Sequence, residues 1–168
     1  MKTKITLFIA VLCIGLSMNA QTKLGTIDVN YVIAKMPQLK HAEARLKKYG
    51  AKLDSINNKK VTEYDAKVKA FNEVIKTLSD EDKKTKYAEL GKLNQDIGKF
   101  RQNGATLMKL RKDELMRPLY KKITELTAVV AKENGYTQIL TTTGNEFAFV
   151  DDKFDVTKLI LAKLGIKE

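Results

Sequence analysis

Two runs of apolar residues, spaced alternately three and four apart, constrain this chain more than any other feature. Leu39, Ala42, Leu46, Tyr49, Leu53 and Ile56 form the first run, which resumes at Tyr64, Val68, Phe71, Ile75 and Leu78. Leu90, Leu93, Ile97, Phe100, Gly104 and Leu107 begin the second, which resumes at Leu115, Leu119, Ile123, Leu126 and Val130. Spacing of this kind places every member on one stripe of an α-helix and suits pairing with a like stripe. Each run skips eight residues once, through Lys60 and through Arg111, a stutter that locally relaxes a left-handed supercoil. Between the runs stands Ser79-Asp80-Glu81-Asp82, where Ser79 suits an N-cap and the acids suit the first turn of a helix. The pattern predicts two long helices folded back on each other, the first over about 37–78, roughly 60 Å long. A helix of that length must project from whatever body the remaining chain can build.

The prolines and glycines of the arm have two readings, ordinary sequence variation in a long coiled coil or an arm meant to bend. Pro37 fits a first helical turn, where its missing N–H costs nothing. Pro118 lies deep in the second helix, removes one backbone bond and predicts a kink where the arm joins the body. Gly104 sits in the seam, and Gly91 and Gly98 share one heptad position beside it, each costing about 1 kcal/mol of helix propensity relative to Ala.

Charge divides along the same boundary. Residues 40–122 carry 22 Lys+Arg against 12 Asp+Glu. The rest of the chain beyond residue 20 carries 7 against 8. Eight lysines of the arm, Lys59, Lys60, Lys67, Lys69, Lys83, Lys84, Lys86 and Lys92, are the candidate binding groups. Lysine pairs on helices are most often solvated faces.

The beginning of the chain reads as an export signal. Lys2 and Lys4 precede an apolar run, Ile5 to Leu16, and a small, polar end, Ser17 to Ala20. That run is short for a bilayer span, and cleavage is expected near Ala20, although Met18 is larger than ideal there. Cys13, the one cysteine, lies inside the run rather than at its end, which argues against lipidation and leaves a mature chain free of thiols.

What remains, 21–36 and 123–168, predicts a small body. Leu24 to Val29 reads as a strand, Asn30 as the cap of a helix over 31–36, and Glu133-Asn134-Gly135 as a helix stop. Tyr136 to Thr141 and Glu146 to Val150 read as two strands about a turn, and Asp155 as the cap of a last helix, 156–164, ended by Gly165. Three short strands leave bare edges and a minimal core, so the body is expected to pair with copies of itself. Ile27, Val29, Ile139, Leu140, Phe147 and Phe149 are the candidate oligomerisation residues. The fold class is thus α+β, mostly α: a long antiparallel coiled-coil hairpin, 37–122 with its tip near 79–82, on a small β body.

Enzymatic chemistry lacks its reagents. His41 is the one histidine and no second His or Cys accompanies it, so neither a metal site nor a Ser-His-Asp set can be assembled. Gly91, Gly98 and Gly104 are too far apart for a phosphate loop. Asp151-Asp152 reads as a turn before a capped helix. No catalytic residue, cofactor or metal is expected.

These pieces, in order, resemble the Skp/OmpH family of periplasmic chaperones. Leu24-Gly25-Thr26-Ile27-Asp28-Val29 with Val32 resembles the family's opening strand, and Leu78-Ser79-Asp80-Glu81-Asp82 its arm-tip turn. Arg117-Pro118-Leu119 with Lys122-Ile123 resembles the return of the arm. Val130 to Tyr136 with Ile139-Leu140 resembles the helix-to-strand passage, and Val150-Asp151-Asp152 with Asp155-Val156-Thr157 the closing turn and helix. The arms here carry more Lys, Asn and Gly than the Gln and Glu common in the family. The resemblance implies a homotrimer whose strands close into a barrel, with three hairpins around a cavity. It further implies an ATP-independent holdase for unfolded outer-membrane proteins. Positive arms would attract such acidic clients at long range, and anionic lipid or lipopolysaccharide by the same charge. Export makes nucleic acid an unexpected partner, despite a surface that could bind phosphates. The competing reading is an envelope adaptor that docks partners through the hairpin tip.

Overall fold

A computed structural model describes residues 22–167; the expected signal segment and Cys13 lie outside them. The order of elements is β1 (Leu24–Ile27), α1 (Val29–Lys35), α2 (Pro37–Val74), α3 (Asp80–Asn134), β2 (Gln138–Thr141), a single 3-10 turn (Asp152–Phe154) and α4 (Thr157–Lys163). The chain divides into two compact units, one of residues up to Met36 together with Tyr120 onward, the other Pro37–Leu119.

The first unit is organised by β1. It pairs in parallel with β2, Leu24 opposite Gln138 and Ile27 opposite Thr141. On its other side Thr26 bridges Asp155, and the Val156 N–H donates to the Thr26 carbonyl at 2.8 Å. β1 is therefore an interior strand, although only four residues long. Val32, Val130, Val156, Ile160 and Leu161 are fully buried around it, with Ile27, Ile33 and Ile123 nearly so. Burying each such side chain is worth about 1.5–3 kcal/mol.

Polar groups at the strand ends are satisfied by local design. The strand stops at Ile27, two residues earlier than the sequence pattern suggests, because the Asp28 carboxylate accepts the Tyr31 N–H at 2.9 Å and starts α1 at Val29. Asp28, not Asn30, is the cap, and Val29 is helical. The Asp28 N–H donates to the Thr157 hydroxyl at 2.9 Å, and that buried hydroxyl donates in turn to Asp155. Asp155 also accepts the Thr157 N–H, so it sets up α4 from just ahead of its first turn. Gly135 (φ 68°) and Gly165 (φ 73°) end α3 and α4 in the left-handed region, where glycine carries no Cβ penalty.

The expected strand Glu146–Val150 does not form. Within one chain β1 already has neighbours on both sides, and no described hydrogen bond joins 146–150 to the free edge of β2. A strand without a ladder partner leaves its backbone groups to water.

The second unit is a helical hairpin. α2 ends at Val74, whose carbonyl accepts the Thr77 N–H and the Thr77 hydroxyl, so the turn begins four residues before the expected end at 78. The Ser79 hydroxyl accepts the Asp82 N–H at 3.1 Å and donates to the Asp82 carboxylate at 2.6 Å, and α3 starts at Asp80. This is an N-cap closed reciprocally by the third helical residue. α3 runs unbroken through Pro118 to Asn134.

Burial corrects the two stutters. Lys60 is exposed and Val61 half-buried; Leu107 is exposed and Met108 half-buried. Each stutter thus falls earlier in the chain, at Leu53-Asn57-Val61 instead of 56–64 and at Phe100-Gly104-Met108 instead of 107–115, and the two steps of four there keep the stripe turned inward. Arg111 does occupy the inward stripe.

Candidate functional site

Cross-hairpin contacts fix which residues of α2 and α3 stand side by side. A Cβ added to Gly50 would lie 3.3 Å from the Met108 methyl, Arg101 Nε donates to Asn57 Oδ1 at 3.1 Å, and the Phe71 and Tyr87 rings meet edge-on at 4.9 Å. Each seven-residue step along α2 matches a seven-residue step back along α3, so one register holds throughout.

That register places Lys60 beside Gly98 and divides the hairpin into halves of different electrostatics. The root half, 37–60 with 98–119, holds 13 Lys+Arg against 4 Asp+Glu. The tip half, 61–97, holds 7 against 8. Positive charge is concentrated at the root, and the tip is balanced.

The eight candidate lysines fall across this divide. Lys83 pairs with Asp80 at 3.2 Å and Lys86 with Glu89 at 3.1 Å, both within the tip half. Lys67, Lys69, Lys84 and Lys92 also belong to the tip and form no ion pair, but share it with the eight acids. Lys59 and Lys60 belong to the root; Lys60 Nζ lies 5.8 Å from the Phe100 ring centroid. Arg45, Lys48, Lys52, Lys109 and Lys112, all exposed and without an ion pair, are not among the eight candidates; their grouping at the root follows only from the hairpin register.

The root half is also loosely packed. Gly50, Leu53, Asn57, Gly104, Ala105 and Met108 line a cavity of about 350 Å³. Just beyond it, Arg111 lays its guanidinium 5.9 Å from the Tyr49 ring centroid and donates to Glu114 at 2.7 Å, while its buried Nε has no partner. An unsatisfied buried donor costs about 1–3 kcal/mol, which weakens the seam at this point.

Apolar surface is exposed in both units. On the hairpin it comprises Val74, Tyr87, Leu107 and Leu110. In the other unit Leu140 (43% exposed), Phe147 (39%) and Phe149 (83%) face solvent, with Ile139 half-buried. Ile27 is instead part of the chain's own core. Among the described residues no cluster of three or more His, Cys, Asp or Glu could hold a metal, and no helix is long and apolar enough to cross a membrane.

A parallel two-stranded sheet with a coiled hairpin inserted between its strands defines the fold class. The family model for outer membrane protein (OmpH-like) matches residues 23–164. The chain belongs to the OmpH-like family. No curated protein matches the sequence. Among solved structures, a protein of Caulobacter crescentus CB15, provisionally named an OmpH-like outer membrane chaperone, has the same fold. Its TM-score is 0.67 at 15% identity, over 86% of this chain and 85% of that one.

Proposed function

We propose that this chain is an ATP-independent holdase that keeps outer-membrane proteins unfolded and soluble in the periplasm, after removal of a signal segment near Ala20. Membership of the OmpH-like family across residues 23–164 carries the reading. The root half of the hairpin adds a physical reason. Dense cationic charge beside exposed leucines attracts an acidic, partly apolar chain without offering it a fixed pocket.

The body, 21–36 with 123–168, joins three copies, and the arms, 37–122, surround the client. The free edge of β2 and the exposed Leu140, Phe147 and Phe149 support this: an unpaired strand edge and exposed apolar side chains each favour pairing with another chain.

Light scattering of a urea-unfolded outer-membrane barrel protein, diluted with and without the mature chain, tests the proposal. Suppressed aggregation at stoichiometric chain, with no nucleotide present, is the expected result. Undiminished aggregation at moderate salt contradicts it.

A further inference from the structure

Four cations of α2, Arg45, Lys48, Lys52 and Lys59, recur at intervals of three, four and seven residues. At 100° per residue this spacing aligns them on one face, along about 21 Å of helix. All four are exposed and none forms an ion pair. The acids of the same stretch, Glu43 and Asp54, stand three turns apart on another face. Asp54 lines the cavity on the edge where Arg101 meets Asn57. From Arg45 to Lys52 the cationic row is therefore not neutralised by its own helix; Glu63, four residues beyond Lys59, is the first acid of α2 on that face and forms no ion pair with it.

The partner helix adds apolar surface to this edge. Tyr49, on the same side of the seam as the row, is met by Arg111. Leu107, Leu110, Arg111 and Glu114 share one face of α3 at i, i+3, i+4 and i+7. Leu107 is 38% and Leu110 55% exposed. By the register of the hairpin, Leu107 stands beside Lys52 and Leu110 beside Lys48 and Tyr49.

We infer that this edge of the root half, Arg45, Lys48, Lys52 and Lys59 with Leu107 and Leu110, is the docking surface for an extended polypeptide segment carrying both acidic and apolar side chains. The inference rests on the holdase reading and deepens it, because it moves client capture from the tip lysines to the root. The interleaved leucines select a polypeptide: phosphate backbones gain nothing from them. Charges spread over a long row suit an unfolded chain that must slide and leave, since each exposed contact is weak.

The test compares two quadruple variants of the full mature chain. One carries Arg45→Gln, Lys48→Gln, Lys52→Gln and Lys59→Gln; the other carries Lys67→Gln, Lys69→Gln, Lys84→Gln and Lys92→Gln in the tip. The probe is a fluorescein-labelled unstructured peptide alternating Glu with Leu and Tyr, with its Gln counterpart as a control. The root variant should bind the Glu peptide about tenfold more weakly and lose most of its salt dependence, and the tip variant should change by less than about twofold. A second variant, Leu107→Asn with Leu110→Asn, should weaken the Glu peptide while keeping its salt dependence. Equal losses from root and tip, or equal affinity for Glu and Gln peptides, overturn the inference. So does a root variant that loses only phosphatidylglycerol vesicles or a single-stranded oligonucleotide. Retained, root-dependent binding of the Glu peptide by a chain that fails to suppress aggregation supports the surface and overturns the holdase reading alone.

Discussion

Tyr136 leans over Gly25 so closely that a Cβ built there would lie 2.9 Å from the ring's Cε1 and 3.2 Å from the Phe154 carbonyl oxygen. Lys23 Nζ sits 4.2 Å from the same ring centroid and donates to the Asn134 carbonyl at the end of α3. The ring thus fills the space that glycine leaves against β1. Gly25→Ala should destabilise the fold by about 1–3 kcal/mol, because backbone and a packed ring must both shift. Thermal unfolding of the variant reads this directly; an unchanged midpoint contradicts the packing.

The glycines of the arm should behave in the opposite way. Nothing lies within 4 Å of a Cβ added to Gly91, Gly98 or Gly104. Each Gly→Ala should stabilise the hairpin by roughly 0.5–1 kcal/mol, since alanine gains helix propensity at no steric cost. In the native chain, amide exchange should be faster from Gly91 to Gly104 than around Val130, which is fully buried. Uniform protection would reject a bending arm.

Capping by Asp28 makes a sharp distinction between neighbours. Asp28→Ala should cost about 1 kcal/mol through loss of the bond to the Tyr31 N–H, and Asn30→Ala should cost little. Equal effects would return the cap to the position suggested by sequence alone.

Asp151 should titrate below the ordinary carboxylate range. Its carboxylate is held by the Lys153 ammonium at 2.6 Å and by the Lys153 N–H. The folded-state value is lowered, so the contribution is present above the ordinary value and is lost as pH falls through the lowered one. Lys153→Ala should bring the Asp151 carboxyl resonance back toward the ordinary range in an NMR titration; an unmoved resonance contradicts the pairing.

Much of this architecture is legible in the chain because its signals are local and repeated. The seams recur over many turns, Ser79 and its acids mark the tip, and Gly135 and Gly165 mark helix ends where φ is positive. The stutters are not legible to one residue. Lys60 and Val61 are adjacent and only burial chooses between them. The pairing of β1 with β2 joins residues more than a hundred positions apart, which no local pattern can specify. Segment 146–150 has strand-like composition, but β propensity needs a neighbour to act on, and one chain provides none there. The root cations were visible as residues, but their separation from the balanced tip appears only when the hairpin register is known.

The central claim is that copies of this chain assemble through their small bodies and share one unfolded client. Native mass measurement of the mature chain mixed with a urea-unfolded outer-membrane barrel protein tests it most directly. The account predicts three chains alone and three chains holding one client, both lost when Phe149 is replaced by Asp. A single chain at all concentrations, or a client held by one chain, would contradict it.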